Sequence, residues 1–158
     1  MILDNLLMFD PPSLPRDLAQ VAGTYVSGNV VDLGVTSGIP SSANGGGARD
    51  IGIGDDPAMK MLVQVRTAFA GGTSLQVALQ GAIDDGTGAP STFVTWWLSP
   101  VYALATLNLG SRLYDMDMPR PPDGVAIPRF LRMAYILLGT MTAGQVVSGI
   151  VLDRQDQP

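Results

Sequence analysis

The stretch that decides the predicted fold is MKMLVQVRTAFAGGTSLQVALQGAI, residues 59–83. Apolar side chains occupy alternate positions before Gly71 and again after Gly72. A side-chain period of two is typical of β-strands that bury one face and turn the other outward. The two glycines supply the positive φ that a short hairpin loop needs. The stretch therefore predicts a hairpin in which one alternating set faces the core and the other faces outward. The two sets are Met61, Val63, Val65, Thr67, Phe69, Leu75, Val77 and Leu79, and the residues between them.

A second hairpin with the same pattern is predicted near the C-terminus, from residues 129–138 and 145–153. Shorter strand patterns occur between the two, and before the first, at residues 24–33, 92–98, 104–109 and 112–116. Many short strands separated by turn residues are typical of sandwiches and jelly rolls. The predicted fold class is therefore all-β, a jelly-roll or β-sandwich of about eight short antiparallel strands with an N-terminal arm.

Three parts of the chain are predicted: an N-terminal arm with a proline-rich hinge (residues 1–20), the sandwich (residues 21–153) and a polar tail (residues 154–158). The arm begins MILDNLLMFD and is followed by Pro11-Pro12, which stop any helix. Its apolar side chains need a surface to cover them. The arm either packs on its own domain as a short helix or edge strand, or lies on a neighbouring molecule.

Composition limits the functions that the chain can perform. Its 158 residues include no Cys and no His, which removes thiolate chemistry and the commonest general base and metal ligand. The net charge of −5 disfavours nucleic acid and anionic membranes, and no apolar run reaches the roughly 18 to 20 residues of a membrane helix. We therefore predict no enzymatic activity, no cofactor, and neither nucleic acid nor membrane as a partner.

Aspartate pairs are the remaining candidates for chemistry. Asp55-Asp56 and Asp84-Asp85 lack the DxDxDG spacing of a calcium loop, and aspartate favours turns for its own hydrogen bonding. An enzyme built on aspartates alone would need two of them in one pocket with separated pKa values. The predicted metal content is none.

Two kinds of residue are candidates for contact with a partner. In the strand TFVTWWL, we expect one of Trp96 and Trp97 to face the core and the other to face outward. An exposed tryptophan is either an interface anchor or a platform on which a sugar ring stacks. Arg66, Arg129 and Arg132 either make bidentate contacts to a partner or stand in water on outward strand faces.

Three stretches together carry a resemblance: ARDIGIGDDPAMKMLVQVRTAFAGGTSLQVALQ (residues 48–80), PRFLRMAY (128–135) and GTMTAGQVVSGIVLD (139–153). With the opening MILDNLLMF and with NVVDLG, they resemble the capsid cement (decoration) proteins of tailed bacteriophages, of the type found in a Bordetella phage. The resemblance covers most of the chain in the same order. It departs around residues 91–125, which are longer and more aromatic here.

The resemblance implies a jelly roll without catalysis, a homo-dimer or homo-trimer on the outer capsid surface of the virion. Its partner would be the major capsid protein, whose subunits it would staple together. We expect deletion of residues 1–10 to leave the domain folded and to weaken capsid attachment. The alternative is a carbohydrate-binding module, recognised by an exposed Trp flanked by Asp, Asn or Arg in a groove. The residues predicted at the partner or oligomer interface are Leu6, Leu7, Phe9, Arg66, Trp96, Trp97, Arg129 and Arg132.

Overall fold

Eleven β-strands hold most of the residues that the computed structural model describes, which are residues 7–34, 59–119 and 128–151. Their bounds are β1 (Met8–Asp10), β2 (Arg16–Asp17), β3 (Gly23–Val26), β4 (Val31–Asp32), β5 (Lys60–Gly71), β6 (Ser74–Ala82), β7 (Val94–Leu98), β8 (Tyr102–Ala103), β9 (Arg112–Asp117), β10 (Phe130–Leu138) and β11 (Met141–Val151). A short 3-10 turn, Leu104–Thr106, follows β8.

The strands form two antiparallel sheets that pack face to face around the core. The first sheet has the order β1-β11-β5-β9, with β2 also paired to β11. The second has the order β3-β10-β6-β7, with β4 paired to β10 and β8 to β6. Without the two-residue strands β2, β4 and β8, eight strands remain. When these eight strands are numbered in chain order, neighbouring strands in the first sheet are the first, eighth, third and sixth. Neighbouring strands in the second sheet are the second, seventh, fourth and fifth. This strand order is that of a jelly roll. The predicted fold class is confirmed.

The two predicted hairpins are not hairpins. β5 and β6 lie in different sheets, and so do β10 and β11, because each connection crosses the rim of the sandwich. Each long strand pairs instead with a strand of the other predicted hairpin, β5 with β11 and β6 with β10. Alternation identifies a strand and its buried face, but it does not identify the neighbouring strand.

The two rim crossings pack against each other. Gly71 and Gly72 have φ of 69° and 63°, and Gly139 has φ of 82°, which is the left-handed region that favours glycine. A Cβ atom on Gly139 would lie 2.9 Å from the Gly72 Cα atom, so only glycine fits this approach. The Thr73 N–H donates a 2.7 Å hydrogen bond to the Leu138 carbonyl and joins the two turns directly.

Of the two alternating sets in β5 and β6, the set that contains Met61 and Leu75 is the one in the core, at every position except Thr67. The apolar residues at alternate positions are buried, whereas Thr67 is exposed. Pairing between β5 and β11 is irregular at this point, with a register shift between Gln145 and Val146. The Thr67 hydroxyl donates to the Gln145 side-chain oxygen at 2.9 Å instead of pointing into the core.

The described part of the predicted arm belongs to the sandwich. β1 pairs with β11 through Met8 opposite Gly149 and Asp10 opposite Ser148, and β2 pairs with the same strand. Leu18 is fully buried, and its N–H donates to the Gly144 carbonyl at 2.9 Å. Of the two alternatives for the arm, residues 7–18 therefore take packing on their own domain. The tail and Asp55-Asp56 lie outside the described residues.

One further local difference concerns the segment between β7 and β9. Residues 104–106 form a 3-10 turn rather than the predicted strand, while the next predicted strand is present as β9.

Within the described ranges, no helix is long and apolar enough to cross a membrane. In the same ranges, no three His, Cys, Asp or Glu side chains are grouped closely enough to hold a metal ion.

Candidate interaction surface

A hollow of about 350 Å³ lies on the outer face of the first sheet. We call it the first-sheet hollow, and it is formed by Pro12, Leu62, Gln64, Arg66, Leu109 and Val147. Gln64 pairs with Val147, and Leu62 pairs with Gly149, so these side chains share the face opposite the core. The hollow therefore crosses the two central strands of the sheet, β5 and β11.

The loop before β9 forms one wall of the hollow. The Gly110 N–H donates to the Val65 carbonyl at 2.9 Å, and the Gln64 side-chain amide donates to the Gly110 carbonyl at 3.1 Å. These bonds hold the loop along the edge of β5. Leu109 projects from it and is 68% exposed. On the opposite side, Pro12 forms the second wall.

Arg66 is the charged group of the hollow, and it is exposed. The four ion pairs of the described residues use Lys60 with Asp117, Arg112 with Asp115, and Arg129 with two partners; none of them includes Arg66. The positive charge of Arg66 is thus not neutralised by an aspartate of the described part of the chain. Of the predicted interface residues, Arg66 lies on a surface that a partner can reach.

Arg129 is instead held within its own chain. Its Nε and Nη2 atoms donate to the two carboxylate oxygens of Asp32, both at 2.9 Å, and its Nη1 atom donates to Asp84. The hydrogen bond from Arg129 lowers the pKa of Asp32, and these carboxylates in turn raise the pKa of Arg129. The pKa of Asp84 is lowered first by the Gly88 and Gly86 N–H groups and then by Arg129. The Arg129 guanidinium therefore ties β4 to the loop after β6.

Arg132 also makes contacts within its own sheet. Its Nε donates to the Gln80 side-chain oxygen at 2.8 Å, and its guanidinium carbon lies 3.9 Å from the centre of the Phe93 ring. The geometry is that of a cation–π contact. Arg132 is half-buried on the outer face of the second sheet, where its side chain contacts Gln80 and Phe93 of its own chain.

Both tryptophans pack against the core, which corrects the expectation that one would face outward. A register shift between Leu79 and Gln80 interrupts the alternation of β7, and adjacent residues then take the same side. Trp96 lies over Gly81, where a Cβ atom would be 2.5 Å from the Trp96 Cε2 atom. Trp97 packs on Tyr114, with ring centres 4.3 Å apart.

A smaller hollow of about 230 Å³ borders Trp96. Its polar side chains are the hydroxyl groups of Ser91 and Thr92, and the rest of its lining is glycine or apolar. Among the described residues that line it there is no Asp, Asn or Arg, which are the groups that a sugar-binding groove places beside its tryptophan. The described part of this site therefore lacks the flanking polar groups by which the carbohydrate-binding alternative is recognised.

Two of the three apolar residues predicted at the interface from the arm are inside the molecule. Phe9 is fully buried in the core, and Leu7 is also buried, because β1 adds to the first sheet and turns these side chains inward. Neither is available to a partner in this fold. Leu6 lies outside the described residues.

A buried polar cluster connects the two sheets, and the sequence did not indicate it. The hydroxyls of Tyr135 and Ser148 donate to the Asp10 Oδ2 atom at 2.5 Å and 2.9 Å, and the Gly28 N–H donates to Oδ1 at 2.8 Å. Burial raises the pKa of Tyr135 well above its usual range, and the Asp10 charge raises it further. The cluster holds β1 against β10 and β11.

The sequence analysis also did not predict that the residues of the first-sheet hollow lie together. Pro12, Leu62, Leu109 and Val147 come from four separate segments and are apolar residues of ordinary strands and turns. The one signal in the sequence was Arg66, a charged residue near the middle of a strand in which apolar residues predominate.

The architecture is that of an antiparallel jelly-roll β-sandwich. Its candidate interaction site among the described residues is the first-sheet hollow, with Arg66 as its cationic residue. A family model named Bbp16 matches residues 17–150, and the chain therefore belongs to the Bbp16 family, a family of Bordetella phage proteins. The matched range includes every strand from β3 to β10 whole. No curated protein matches the chain.

Proposed function

We propose that this chain is a virion protein that binds the outer surface of a phage capsid and stabilises contacts between major capsid subunits. The observation that carries the proposal is the match to a phage protein family over residues 17–150, on a chain that resembles capsid cement proteins. In this role the protein acts by binding and performs no reaction. It needs no cofactor.

The surface chemistry supports binding to a shell rather than to the packaged genome. A net charge of −5 repels phosphate and complements basic patches on a protein lattice. Exposed apolar side chains, among them Leu109 and Leu14, suit contact with other subunits. These properties match the outer face of a capsid, where contact is made with protein.

The proposal includes self-association as a dimer or trimer. β7 is the end strand of the second sheet as described, and it carries the exposed apolar residues Val94 and Leu98. End strands present unpaired main-chain groups that proteins cover or protect. Contact between copies at such an edge would cover both the main-chain groups and the apolar side chains.

The test is a reconstitution. Purified protein is added to capsid shells of its own phage that lack it, and shells are separated by sedimentation. We expect the protein to sediment with the shells, and we expect decorated shells to release their subunits at a higher temperature than bare shells. If the wild-type protein stays in the supernatant at micromolar concentration, the proposed function is wrong.

A further inference from the structure

We infer that Asp85-Gly86 is a site of spontaneous aspartate isomerisation, and that Asp84 is the residue that holds this reaction in check in the folded protein. The two residues lie in the exposed loop after β6. Glycine is the neighbour that hinders the reaction least, because it has no Cβ atom. The inference goes beyond the proposed function and does not depend on it. Such a check matters in a protein that is not replaced after synthesis, because isoaspartate accumulates with time.

The reaction is an intramolecular condensation followed by hydrolysis. The Gly86 nitrogen loses its proton and forms a bond to the Asp85 Cγ atom, while the protonated carboxyl group gives up an oxygen as water. The product is a succinimide ring. Water then opens the ring at either carbonyl, which restores aspartate or leaves isoaspartate with its Cβ atom in the main chain. No oxidant or other reactant is required.

The Asp84 carboxylate opposes the loss of the Gly86 proton. Its Oδ1 atom accepts the Gly86 N–H at 2.7 Å and the Gly88 N–H at 3.0 Å. Removal of the Gly86 proton breaks the first of these hydrogen bonds and places a negative nitrogen beside a negative carboxylate. Arg129 donates to the other oxygen of Asp84 and so fixes the orientation of the carboxylate.

The donors around Asp85 oppose the loss of water. The Thr87 hydroxyl and the Thr87 N–H donate to the Asp85 Oδ1 atom at 2.7 Å and 2.8 Å. The hydrogen bond from the Thr87 hydroxyl is the largest cause of the lowered pKa of Asp85. At a given pH, a smaller fraction of the carboxyl is therefore in the protonated form that can lose water.

Hydrogen bonds also fix the main chain of the loop. The Asp85 N–H donates to the Ala89 carbonyl at 2.9 Å, and the Ser91 N–H donates to the Ile83 carbonyl at 2.8 Å. Closing the succinimide ring requires the main chain to rotate at Asp85. This rotation strains both hydrogen bonds, so the folded loop must open locally before the ring forms.

Ageing of the purified protein tests the inference. Folded wild type and wild type held unfolded in urea are incubated in the same mildly acidic buffer, then unfolded and digested with trypsin. The digest peptide of residues 67–112 contains no aspartate other than Asp84 and Asp85, so isoaspartate in it is assigned by fragmentation. Asn108 in the same peptide is distinguished because its deamidation changes the mass, whereas isomerisation does not.

We expect folded wild type to form isoaspartate at least about tenfold more slowly than the unfolded chain, because only locally opened molecules react. Equal rates in the two samples would overturn the inference. Neither outcome bears on binding to a capsid, so this result and that of the shell reconstitution are independent.

One pair of variants separates the hydrogen bond at Gly86 from the ion pair. Asp84→Ala removes the acceptor of the Gly86 N–H, whereas Arg129→Gln removes the ion pair and leaves that acceptor in place. We expect Asp84→Ala to isomerise about fivefold faster than folded wild type, and Arg129→Gln to stay within about twofold of it. If Asp84→Ala ages as slowly as wild type, or if both variants speed up equally, Asp84 is not the check and the inference is wrong.

A second pair of variants addresses the protonation of Asp85. Thr87→Val removes the hydroxyl donor, and Thr87→Ser keeps it. We expect Thr87→Val to isomerise about two- to fivefold faster than wild type and Thr87→Ser to match wild type. Circular-dichroism melting of all four variants establishes that faster ageing does not come from unfolding. Equal ageing of the two Thr87 variants would contradict the role of the hydroxyl.

Discussion

The Tyr135 hydroxyl donates a 2.5 Å hydrogen bond to the Asp10 carboxylate inside the sandwich, although 125 residues separate them along the chain. Asp10 is the last residue of β1, an edge strand of the first sheet. Tyr135 is in β10, a central strand of the second sheet. Ser148, on β11, bonds to the same carboxylate oxygen. The cluster therefore joins the N-terminal strand to both sheets, and it does so where water does not compete for the hydrogen bonds.

Replacing Tyr135 by Phe should destabilise the protein by about 1.5–3 kcal/mol, because it removes a hydrogen bond to a buried charged group and leaves the remaining ring in place. The measurement is the free energy of unfolding in urea. Tyr25→Phe is the matched control, since the Tyr25 hydroxyl bonds to the Val21 carbonyl at an exposed site. Equal losses in the two variants would show that the buried cluster has no special contribution.

Replacing Phe9 by Ala should cost about 3–5 kcal/mol, because the Phe9 side chain is fully buried between the sheets and its loss leaves a cavity. Deletion of residues 1–10 should be at least as damaging, since it also removes the β1 pairing and the Asp10 carboxylate. This reverses the expectation, drawn from the sequence, of a folded deletion variant.

The control is Leu14→Ala, because Leu14 is 72% exposed. Unfolding by urea is again the measurement. A deletion variant with wild-type stability would show that β1 contributes nothing to the fold in solution.

Strands and fold class were predictable because the period of two is a local property of the chain. The turn glycines, and the shared face of Leu75, Val77 and Leu79 in β6, followed from the same pattern. Strand partners were not predictable in this way, because pairing depends on how the whole chain wraps around the core. The rim crossing at Gly71-Gly72 has the same residues as a hairpin turn, yet its strands enter different sheets.

The candidate site was harder to predict for the same reason. The local sequence does not distinguish Arg66 from Arg129, because each is an arginine with an apolar neighbour in a predicted strand. Only the fold brings Asp32 and Asp84 to Arg129 and leaves Arg66 exposed. Asp10 likewise looks like a surface residue until Tyr135 and Ser148 are placed around it.

The Arg129 ion pairs should make stability depend on pH. The pKa of Asp32 and that of Asp84 are lower in the folded protein than the ordinary value of 3.8. The unfolded chain then binds more protons than the folded chain in the window between the folded and unfolded pKa values. This contribution to stability is fully present above the unfolded pKa and is lost as pH falls below it.

Arg129→Gln should therefore be less stable than wild type near pH 6, and the difference should shrink as pH falls below about 4. Urea unfolding at a series of pH values gives the difference directly. Arg66→Gln serves as control, because no ion pair of the described residues includes Arg66, and its difference from wild type should stay small throughout. A difference for Arg129→Gln that is constant with pH would contradict the role of the two aspartates.

Two glycines with the same φ allow two contributions to the cost of an alanine substitution to be measured separately. One is backbone strain, and the other is the close contact between the rim crossings. Gly139 and Gly110 both have φ of 82°, so alanine introduces similar strain at either position. A Cβ atom on Gly139 would lie 2.9 Å from the Gly72 Cα atom, whereas one on Gly110 would meet nothing within 4 Å. We expect Gly110→Ala to cost about 1–2 kcal/mol, and Gly139→Ala to cost about 1–3 kcal/mol more because a backbone must move. Urea unfolding of both variants measures the difference, and equal costs would mean that the two crossings do not depend on close contact.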